Sequence, residues 1–336
     1  MLPSSFVTKL HTINATGMKA RSPKEIAKLV NAAQNDGIFY LDLSEDKGAQ
    51  SCLTNMKSLT RGLFALATRD KEYYDIDKFG ELKLNGYKPV GRNVGGIKGT
   101  RDGFESYAVG QDDILSSTSG HAPRPQIMDH HLPDLEHFTT TCLSLAHDIL
   151  SILSDNLCLS GEHTLQSLHD IPQSESGEPS MNIVRMLKYM HCGESTLHVP
   201  QQAHTDMGSL TFLFADTPGL QILPSGSTDW LYVPPQSGMA LVNIGDALSV
   251  LSSRRFHSVL HRVASLPGMG MEERYSLAFL LRPARSTIMW PLEGDPGISQ
   301  GKYTCADWMK MKFEVLRGPG SNKLDYIQPG KEIHGA

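Results

Sequence analysis

The chain has 336 residues and a formal net charge of −5, with 40% hydrophobic and 20% charged residues. This balance is ordinary for a globular protein, and it favours neither nucleic acid nor a membrane surface as a partner. Five scattered cysteines argue against a disulfide framework, no apolar run reaches the ~18 residues of a membrane span, and no signal peptide is evident, so we expect a cytoplasmic protein.

A capped helix is predicted near the start of the chain, over residues 22–37. Ser22 is a suitable N-cap and Pro23 suits the first turn, while Glu25 would complete a capping box with Ser22. Gly37 is typical of the residue that follows a helix. The next residues, IFYLDL, are predicted to form a short strand.

More helices and a glycine-rich segment precede the middle of the chain. A helical region is predicted over residues 48–78, and a long amphipathic helix over residues 134–153. Between them lies GYKPVGRNVGG, residues 86–96. This segment holds too many glycines for a regular helix, so we predict a loop or an irregular strand.

The sequence changes character between residues 180 and 283, where short β-prone runs alternate with Gly, Pro and Ser. Seven such runs are MNIVRMLKYM, LTFLFA, LQILP, WLYVPP, GMALVNIG, SVLHRVAS and YSLAFLLRP. Closely spaced short strands are typical of a sandwich or barrel. A last helix is predicted over residues 305–316. We therefore expect an α+β fold with a mainly β, jelly-roll core flanked by N-terminal and C-terminal helices. We expect one structural domain, in which residues 1–120 pack on a core formed by residues 180–285.

The first residues of HTDMGSLTF, His204 and Asp206, suggest a metal site. On a strand these two side chains would point to the same face. His261 lies on a second predicted strand, 55 residues after Asp206. Two histidines and one carboxylate form the facial triad of non-haem Fe(II) oxygenases, which leaves positions open for a cosubstrate and O2. The weaker histidine candidates nearby are His191, His198 and His257.

A candidate carboxylate receptor follows the last of these histidines. Arg274 and Ser276 are two positions apart on a predicted strand, so their side chains share a face. A guanidinium binds a carboxylate through two hydrogen bonds, and a serine hydroxyl adds a third donor. The order H-x-D, then H, then R-x-S on strands of one β region is far more specific than any of its parts.

These motifs resemble those of the 2-oxoglutarate- and Fe(II)-dependent dioxygenases of the isopenicillin N synthase-like family. The matching stretches are HTDMGSLTFLF, GLQIL, WLYVPP, ALVNIGDAL, HSVLHRV and RYSLAFLLRP, and the resemblance is strongest from residue 181 to 283. It implies a distorted double-stranded β-helix that binds iron and 2-oxoglutarate. The implied iron ligands are His204, Asp206 and His261, and the implied residues for the distal carboxylate of 2-oxoglutarate are Arg274, Ser276 and Tyr189.

The implied reaction couples oxidative decarboxylation of 2-oxoglutarate, to succinate and CO2, to the O2-dependent oxidation of a small organic molecule. Hydroxylation, desaturation and ring rearrangement are all compatible with the motifs, and specialised metabolism is the expected setting. Several positions depart from the family pattern: Met190 replaces a proline, Leu187 replaces an asparagine that plant members commonly carry, and the usual Asn-Gly before the last histidine is replaced around Ser252 and Ser253. These departures weaken any transfer of a plant substrate to this chain.

Strand alternation from Tyr189 and Ser276 predicts the lining of a substrate pocket. The predicted substrate-binding residues are Arg185, Leu187, Leu280 and Arg282. This lining suits a small, largely apolar molecule with one acidic group. The alternative is that both arginines lie outside the pocket or pair with structural carboxylates such as Glu272 or Glu273. The helix at 305–316 and the loop at 91–99 are candidate lids, and the oligomeric state is left open.

Three other functions are compatible with parts of the pattern. An Fe(II) and O2 oxidase that uses no 2-oxoglutarate would keep the same triad and could use Arg274 and Ser276 for a substrate carboxylate. A zinc hydrolase would have no need of that pair. A non-catalytic binding protein on the same scaffold would be expected to lose a metal ligand, and the sequence retains His204, Asp206 and His261.

Overall fold

The computed structural model describes residues 6–116, 121–161, 164–169, 178–193, 198–266, 268, 270–292 and 303–317. Its strands are β1 Thr12–Asn14, β2 Ile38–Asp42, β3 Gly86–Lys88, β4 Phe104–Gly110, β5 Ile183–Tyr189, β6 Gln201–His204, β7 Leu210–Ala215, β8 Leu220–Leu223, β9 Leu231–Tyr232, β10 Met239–Ile244, β11 Leu260–Val263 and β12 Arg274–Leu281. Its helices are α1 Ala15–Lys19, α2 Pro23–Asn35, α3 Lys47–Ala65, α4 Thr68–Glu72, α5 Gln111–Leu115, α6 Gln126–His130, α7 Leu132–Asn156, α8 Asp246–Leu251 and α9 Cys305–Arg317.

Two sheets form the core. The larger has eight strands in the order β1-β2-β10-β7-β12-β5-β4-β3, and the smaller has four in the order β6-β11-β8-β9. An apolar cluster contains residues of both sheets, including Tyr40 and Leu241 from the larger and Ile222 from the smaller. The two sheets therefore pack face to face, and the predicted α+β fold with a jelly-roll core is confirmed.

The outer face of the larger sheet is covered by helices. Leu135, Phe138 and Ile149 of α7 are buried, as the 3.6-residue period of the sequence predicted. They belong to a large core cluster that also contains Phe212 and Phe279, from β7 and β12. This packing leaves the opposite face of the sheet free to form the inside of the jelly roll.

Each of the seven predicted strands is present, at β5, β7, β8, β9, β10, β11 and β12. The predicted helices at 22–37, 134–153 and 305–316 correspond to α2, α7 and α9. The helical region 48–78 is divided into α3, α4 and a short 3-10 helix. The glycine-rich segment begins with β3 and continues as a loop.

The predicted capping box of α2 is wrong. The Ser22 side chain makes no capping hydrogen bond. Glu25 instead accepts a hydrogen bond from the Asn14 backbone N–H at 2.8 Å and pairs with Lys28 at 2.9 Å. The carboxylate is therefore used to join α2 to β1, and it cannot reach back to its own helix terminus.

Strands from both ends of the chain share the larger sheet. β2 pairs with β10, and β4 pairs with β5. The division into regions 1–120 and 180–285 stays a prediction, and residues 1–5 and 117–120 of the first region lie outside the described residues. Among the helices of the described ranges, none is long and apolar enough to cross a membrane.

Candidate active site

The three predicted metal ligands lie together at the edge where β6 meets β11. His204 and His261 are directly opposite each other in the sheet, with ring centroids 4.3 Å apart. The Nε2 atom of His261 is 3.8 Å from Oδ1 of Asp206. One ligand atom from each residue lies within 4.8 Å of the other two, which fits a single metal ion.

The local reason for this arrangement differs from the predicted one. β6 ends at His204, and Asp206 lies beyond it, in the turn that leads to β7. Strand alternation therefore does not place the two side chains on one face, and that expectation was wrong. The turn bends the chain instead, and it is held by hydrogen bonds from the backbone N–H groups of Asp246 and Ala247 to the carbonyl oxygens of Asp206 and Gly208.

Backbone carbonyls orient the two imidazoles. Nδ1 of His204 lies 2.9 Å from the Gln202 oxygen, and Nδ1 of His261 lies 3.1 Å from the Val259 oxygen. A carbonyl oxygen can only accept a hydrogen bond, so each Nδ1 carries a hydrogen, and in the neutral imidazole Nε2 then keeps its lone pair. The Nε2 atoms are the nitrogens available to a metal.

The protonation states also suit a metal. Burial, followed by the neighbouring His261, lowers the pKa of His204, so the ring is neutral at ordinary pH. Burial acts to raise the pKa of Asp206, but His261, His204 and the amide of Asn243 outweigh it and lower that pKa. Nδ2 of Asn243 donates to Oδ2 of Asp206 at 3.2 Å. The neutral ring of His204 and the carboxylate anion of Asp206 suit a divalent cation.

The weaker histidine candidates do not join this group. Among the described residues, the cluster of possible ligands contains His204, Asp206 and His261 and does not include His191, His198 or His257. His257 is held at α2 instead, where its backbone N–H donates to the Ala33 oxygen.

The predicted carboxylate receptor is assembled on β12 and β5. Arg274 is paired directly opposite Tyr189, and Ser276 lies two residues further along the same face. All three side chains are buried. Nε of Arg274 donates to the Thr217 oxygen at 3.1 Å, and its guanidinium carbon lies 4.9 Å from the centre of the Tyr189 ring.

Two donors of this receptor have no protein partner. Nη1 of Arg274 and Oγ of Ser276 are buried and make no hydrogen bond within the described residues. Leaving buried donors unpaired costs roughly 1–3 kcal/mol each, so native proteins seldom do so without a ligand. The residues present therefore fit a bound carboxylate at this position.

The predicted pocket residues Arg185 and Leu187 lie on β5 and Leu280 lies on β12, while Arg282 directly follows β12. Arg185 donates from Nη2 to Oγ of Ser106 at 3.1 Å, and Arg282 donates from Nη1 to the Met181 oxygen at 2.7 Å. Leu187 packs in the cluster that contains Tyr189, and the half-buried Leu280 packs beside Ile183. The positive charge of Arg185 is a minor cause of the lowered pKa of His204, so this guanidinium lies near the metal site. Glu273 pairs with Lys188 at 2.9 Å.

Sequence reasoning missed Gln201, which contacts both halves of the site. The Tyr189 hydroxyl donates to Oε1 of Gln201 at 2.5 Å, and Nε2 of Gln201 lies 3.2 Å from Nε2 of His204. Residues three apart on a regular strand point to opposite faces. The sequence therefore offered no signal for this contact.

Sequence reasoning also missed Asp246, which supports the site from behind. Its carboxylate accepts hydrogen bonds from Thr205 at 2.9 Å, from Ser258 at 2.8 Å and from Lys312 of α9 at 2.9 Å. Asp246 follows the buried strand β10 within NIGDAL, and a carboxylate at such a position has too many structural uses for this role to be predicted. The predicted lid role of α9 and of the loop at 91–99 stays a prediction.

Comparison with known proteins adds independent evidence. A model of the 2OG-Fe(II) oxygenase superfamily matches residues 149–283. A 2-oxoglutarate-dependent dioxygenase of Gibberella zeae is 30% identical over 302 residues, which cover 88% of this chain and 86% of that protein. Another, from Dothideomycetidae sp., is 29% identical over 308 residues, covering 92% and 90%. A full-length Neurospora crassa protein crystallised with alpha-KG has a TM-score of 0.73 at 18% identity, covering 93% of this chain and 97% of that one.

Proposed function

The chain belongs to the 2-oxoglutarate- and Fe(II)-dependent dioxygenases, and from this premise we propose that it oxidises a small organic molecule of specialised metabolism. We propose that iron is held by His204, Asp206 and His261, and that Arg274, Ser276 and Tyr189 bind the distal carboxylate of 2-oxoglutarate. When bound, iron and 2-oxoglutarate supply the activation of O2, with succinate and CO2 as coproducts.

One observation carries the proposal: the buried, unpaired donors Arg274 Nη1 and Ser276 Oγ lie on the strand beside Tyr189, inside the same jelly roll as the candidate ligands. Burial raises the pKa of Tyr189, so its hydroxyl stays protonated and can donate. Arginine stays charged at any ordinary pH. The Tyr189 hydroxyl already donates to Gln201, so the receptor offers the cation of Arg274 and the neutral donor of Ser276 beside the tyrosine ring, which suits the charge of a carboxylate.

The side chains of the site have separable tasks. The guanidinium of Arg274 would fix one end of the cosubstrate, and the hydrogen bond from Tyr189 to Gln201 joins the receptor to β6, the strand that ends at His204. Three protein ligands occupy one face of the metal and leave the other face for exchangeable ligands. The apolar lining from Leu187 and Phe104 excludes water from the space between.

For the substrate we propose a largely apolar molecule with one acidic group, bound by Arg185, Leu187, Leu280 and Arg282. Burial is the main cause of the lowered pKa of Arg282, and the positive charge of Arg185 lowers that pKa further. An anionic group of the substrate would relieve this repulsion. Hydroxylation, desaturation and ring rearrangement of the substrate are all compatible with this pocket. The cytoplasmic location of the protein stays a prediction.

An anaerobic titration of the purified protein with Fe(II) and then 2-oxoglutarate tests the proposal. We expect a weak metal-to-ligand charge-transfer band in the visible range that saturates at one equivalent of 2-oxoglutarate. On admission of air, succinate should form and its rate should increase with the true substrate. If the band is absent and substrate is consumed without 2-oxoglutarate, the chain is an oxidase that uses Arg274 for its substrate.

A further inference from the structure

A bulge in the smaller sheet brings Gln201 to the metal-binding face. His204 pairs with His261 and Gln201 pairs with Val263, so three steps along β6 correspond to two steps along β11. One extra residue in β6 shifts the alternation of its side chains by one. Gln201 and His204 therefore lie on one face, in contact with each other.

The side-chain amide of Gln201 spans the two halves of the active site. Its Oε1 accepts the hydrogen bond of Tyr189, at the carboxylate receptor, and its Nε2 faces Nε2 of His204, at the metal site. Nε2 of His204 is an acceptor because Nδ1 carries the hydrogen, so the NH2 group of Gln201 faces the histidine and Oε1 faces the Tyr189 hydroxyl, which donates to it. The amide is therefore held in one orientation.

The contact with His204 uses the lone pair that a metal requires. Because Nδ1 of His204 carries the hydrogen, Nε2 is the acceptor for the Gln201 NH2 group. A metal ion bound to Nε2 occupies that lone pair, and the amide then loses its acceptor. The Tyr189 hydroxyl would still hold Oε1, so the Gln201 NH2 group would stay close to the metal position. A ligand bound to the metal would then supply the acceptor for that NH2 group.

We propose that Gln201 is a cosubstrate-positioning residue, whose NH2 group donates to the metal-bound end of 2-oxoglutarate once iron occupies His204. This inference rests on the proposed positions of iron and 2-oxoglutarate. It gives 2-oxoglutarate contacts at both ends: Arg274 and Ser276 at the distal carboxylate, and Gln201 at the keto acid. The hydrogen bond of Tyr189 to Gln201 couples the two ends.

The test is a pair of anaerobic titrations on Gln201→Leu, which keeps the approximate size of the side chain and removes its donor. Loss of one hydrogen bond to a charged group should raise the Kd of the Fe(II) protein for 2-oxoglutarate about 10- to 150-fold. The Kd for Fe(II), measured without 2-oxoglutarate, should not rise, because Gln201 competes for the lone pair of His204 and is not a ligand. The charge-transfer band should also move in wavelength, since its acceptor is the keto acid.

Two other variants separate this inference from the proposed function. Arg274→Ala should raise the Kd for 2-oxoglutarate without moving the band, because it acts at the distal carboxylate. Gln34→Leu makes the same replacement at an exposed glutamine of α2 and should leave both titrations as in the wild type. If the wild-type protein shows no band with 2-oxoglutarate, the proposed function is wrong, and the inference about Gln201 is wrong with it.

Two results would overturn the inference while leaving the proposed function intact. One is an unchanged band and unchanged Kd for 2-oxoglutarate in Gln201→Leu. The other is a tenfold weaker Kd for Fe(II) in that variant, which would make Gln201 a metal ligand. If Gln201→Leu does not fold, Gln201→Glu keeps the acceptor for Tyr189 and replaces the donor, and the same rise in the Kd for 2-oxoglutarate is expected.

Discussion

Asp206 is the anionic residue of the candidate metal site, and its charge is stabilised by His261, His204 and Asn243. Asp206→Ala removes the negative ligand, and we expect loss of turnover and of stoichiometric Fe(II) binding. The far-ultraviolet circular dichroism should stay near that of the wild type, because the core consists of apolar clusters on both sides of the sheet. His257→Ala, at a histidine outside the cluster, should retain Fe(II). Near-native turnover of Asp206→Ala would refute the ligand assignment.

Arg274 carries the positive charge of the candidate carboxylate receptor. Removing one partner of a buried, hydrogen-bonded charge pair costs about 2–5 kcal/mol, or roughly 30- to several-thousand-fold in affinity. Arg274→Ala should therefore raise the apparent constant for 2-oxoglutarate by that factor, with little change in Fe(II) binding. Lysine at this position keeps the charge without the planar fork, so Arg274→Lys should recover only part of the loss. Steady-state kinetics with varied 2-oxoglutarate provide the measurement, and an unchanged constant would exclude the assignment.

At this scale the sequence predicts the residues that do chemistry and misses those that orient them. The candidates His204, Asp206, His261, Arg274 and Ser276 could be predicted because metal ligands and carboxylate receptors require particular residue types, although the strand spacing expected for Asp206 was wrong. The support from Gln201, Asn243 and Asp246 could not, because an amide or a carboxylate after a strand has many structural uses. The Gln201 contact further depends on a bulge that no residue type marks.

At the scale of elements, α9 is attached to the metal site through one ion pair. Nζ of Lys312 lies 2.9 Å from Oδ2 of Asp246, and the side chains are 20% and 13% exposed. Lys312→Met removes a charged hydrogen bond worth about 1.5–3 kcal/mol. We expect amide hydrogens of α9 to exchange roughly 10- to 150-fold faster in this variant, while those of β12 are unchanged.

The same helix offers a matched control for this exchange experiment. Lys310 pairs with Glu81 at 3.0 Å, but these side chains are 45% and 80% exposed. Exposed pairs contribute about 0–1 kcal/mol. Lys310→Met should therefore change exchange in α9 less than Lys312→Met does. Equal effects from the two variants would mean that the pair with Asp246 does not anchor the helix.

Helices and strands whose apolar residues recur at a regular spacing could be predicted from the sequence. A strand that forms only because it pairs with a neighbouring strand could not. The apolar stripe of α7 and the β-prone runs from β7 to β12 follow from local sequence, and they are present. β6 has the sequence QQAH, which lacks the branched and aromatic residues typical of strands. It is a strand because it pairs with β11, and its sequence alone gives no reason to expect one.

At the scale of the whole molecule, the larger sheet depends on pairs that are distant in sequence. Ile38 of β2 is paired with Asn243 of β10, and Gly110 of β4 with Ile183 of β5. Such pairs cannot be assigned from local patterns, which explains why the sequence predicted the class of fold without the order of its strands. They also mean that the N-terminal strands and the metal-binding core are parts of one sheet, as the proposed single domain requires.

His169 joins three parts of the chain behind the active site. Its Nδ1 lies 2.6 Å from the Leu165 oxygen, and its Nε2 lies 2.7 Å from Oγ of Ser209, in the turn after Asp206. The preceding carbonyl, of Leu168, accepts from the backbone of Ala284 beyond β12. The ring is buried, and burial lowers its pKa from 6.5 to about 4. The folded protein therefore holds this ring neutral.

This pKa predicts how the stability of the molecule depends on pH. Between pH 6.5 and about 4 the unfolded chain binds a proton at His169 that the folded chain does not, so stability is complete above the unfolded pKa and is lost as the pH falls. The loss at the end of this window is of the order of 3 kcal/mol, at 1.36 kcal/mol per pKa unit.

His169→Gln tests this prediction, because a glutamine at this position cannot titrate. It should be less stable than the wild type at pH 7.5, because buried hydrogen bonds are lost, yet it should lose about 2–3 kcal/mol less between pH 7.5 and 4.5. Urea unfolding of both proteins at the two pH values measures this difference, with His137→Gln on the exposed side of α7 as the control for replacing a histidine. Parallel losses in the wild type and His169→Gln would show that the acid sensitivity comes from other groups.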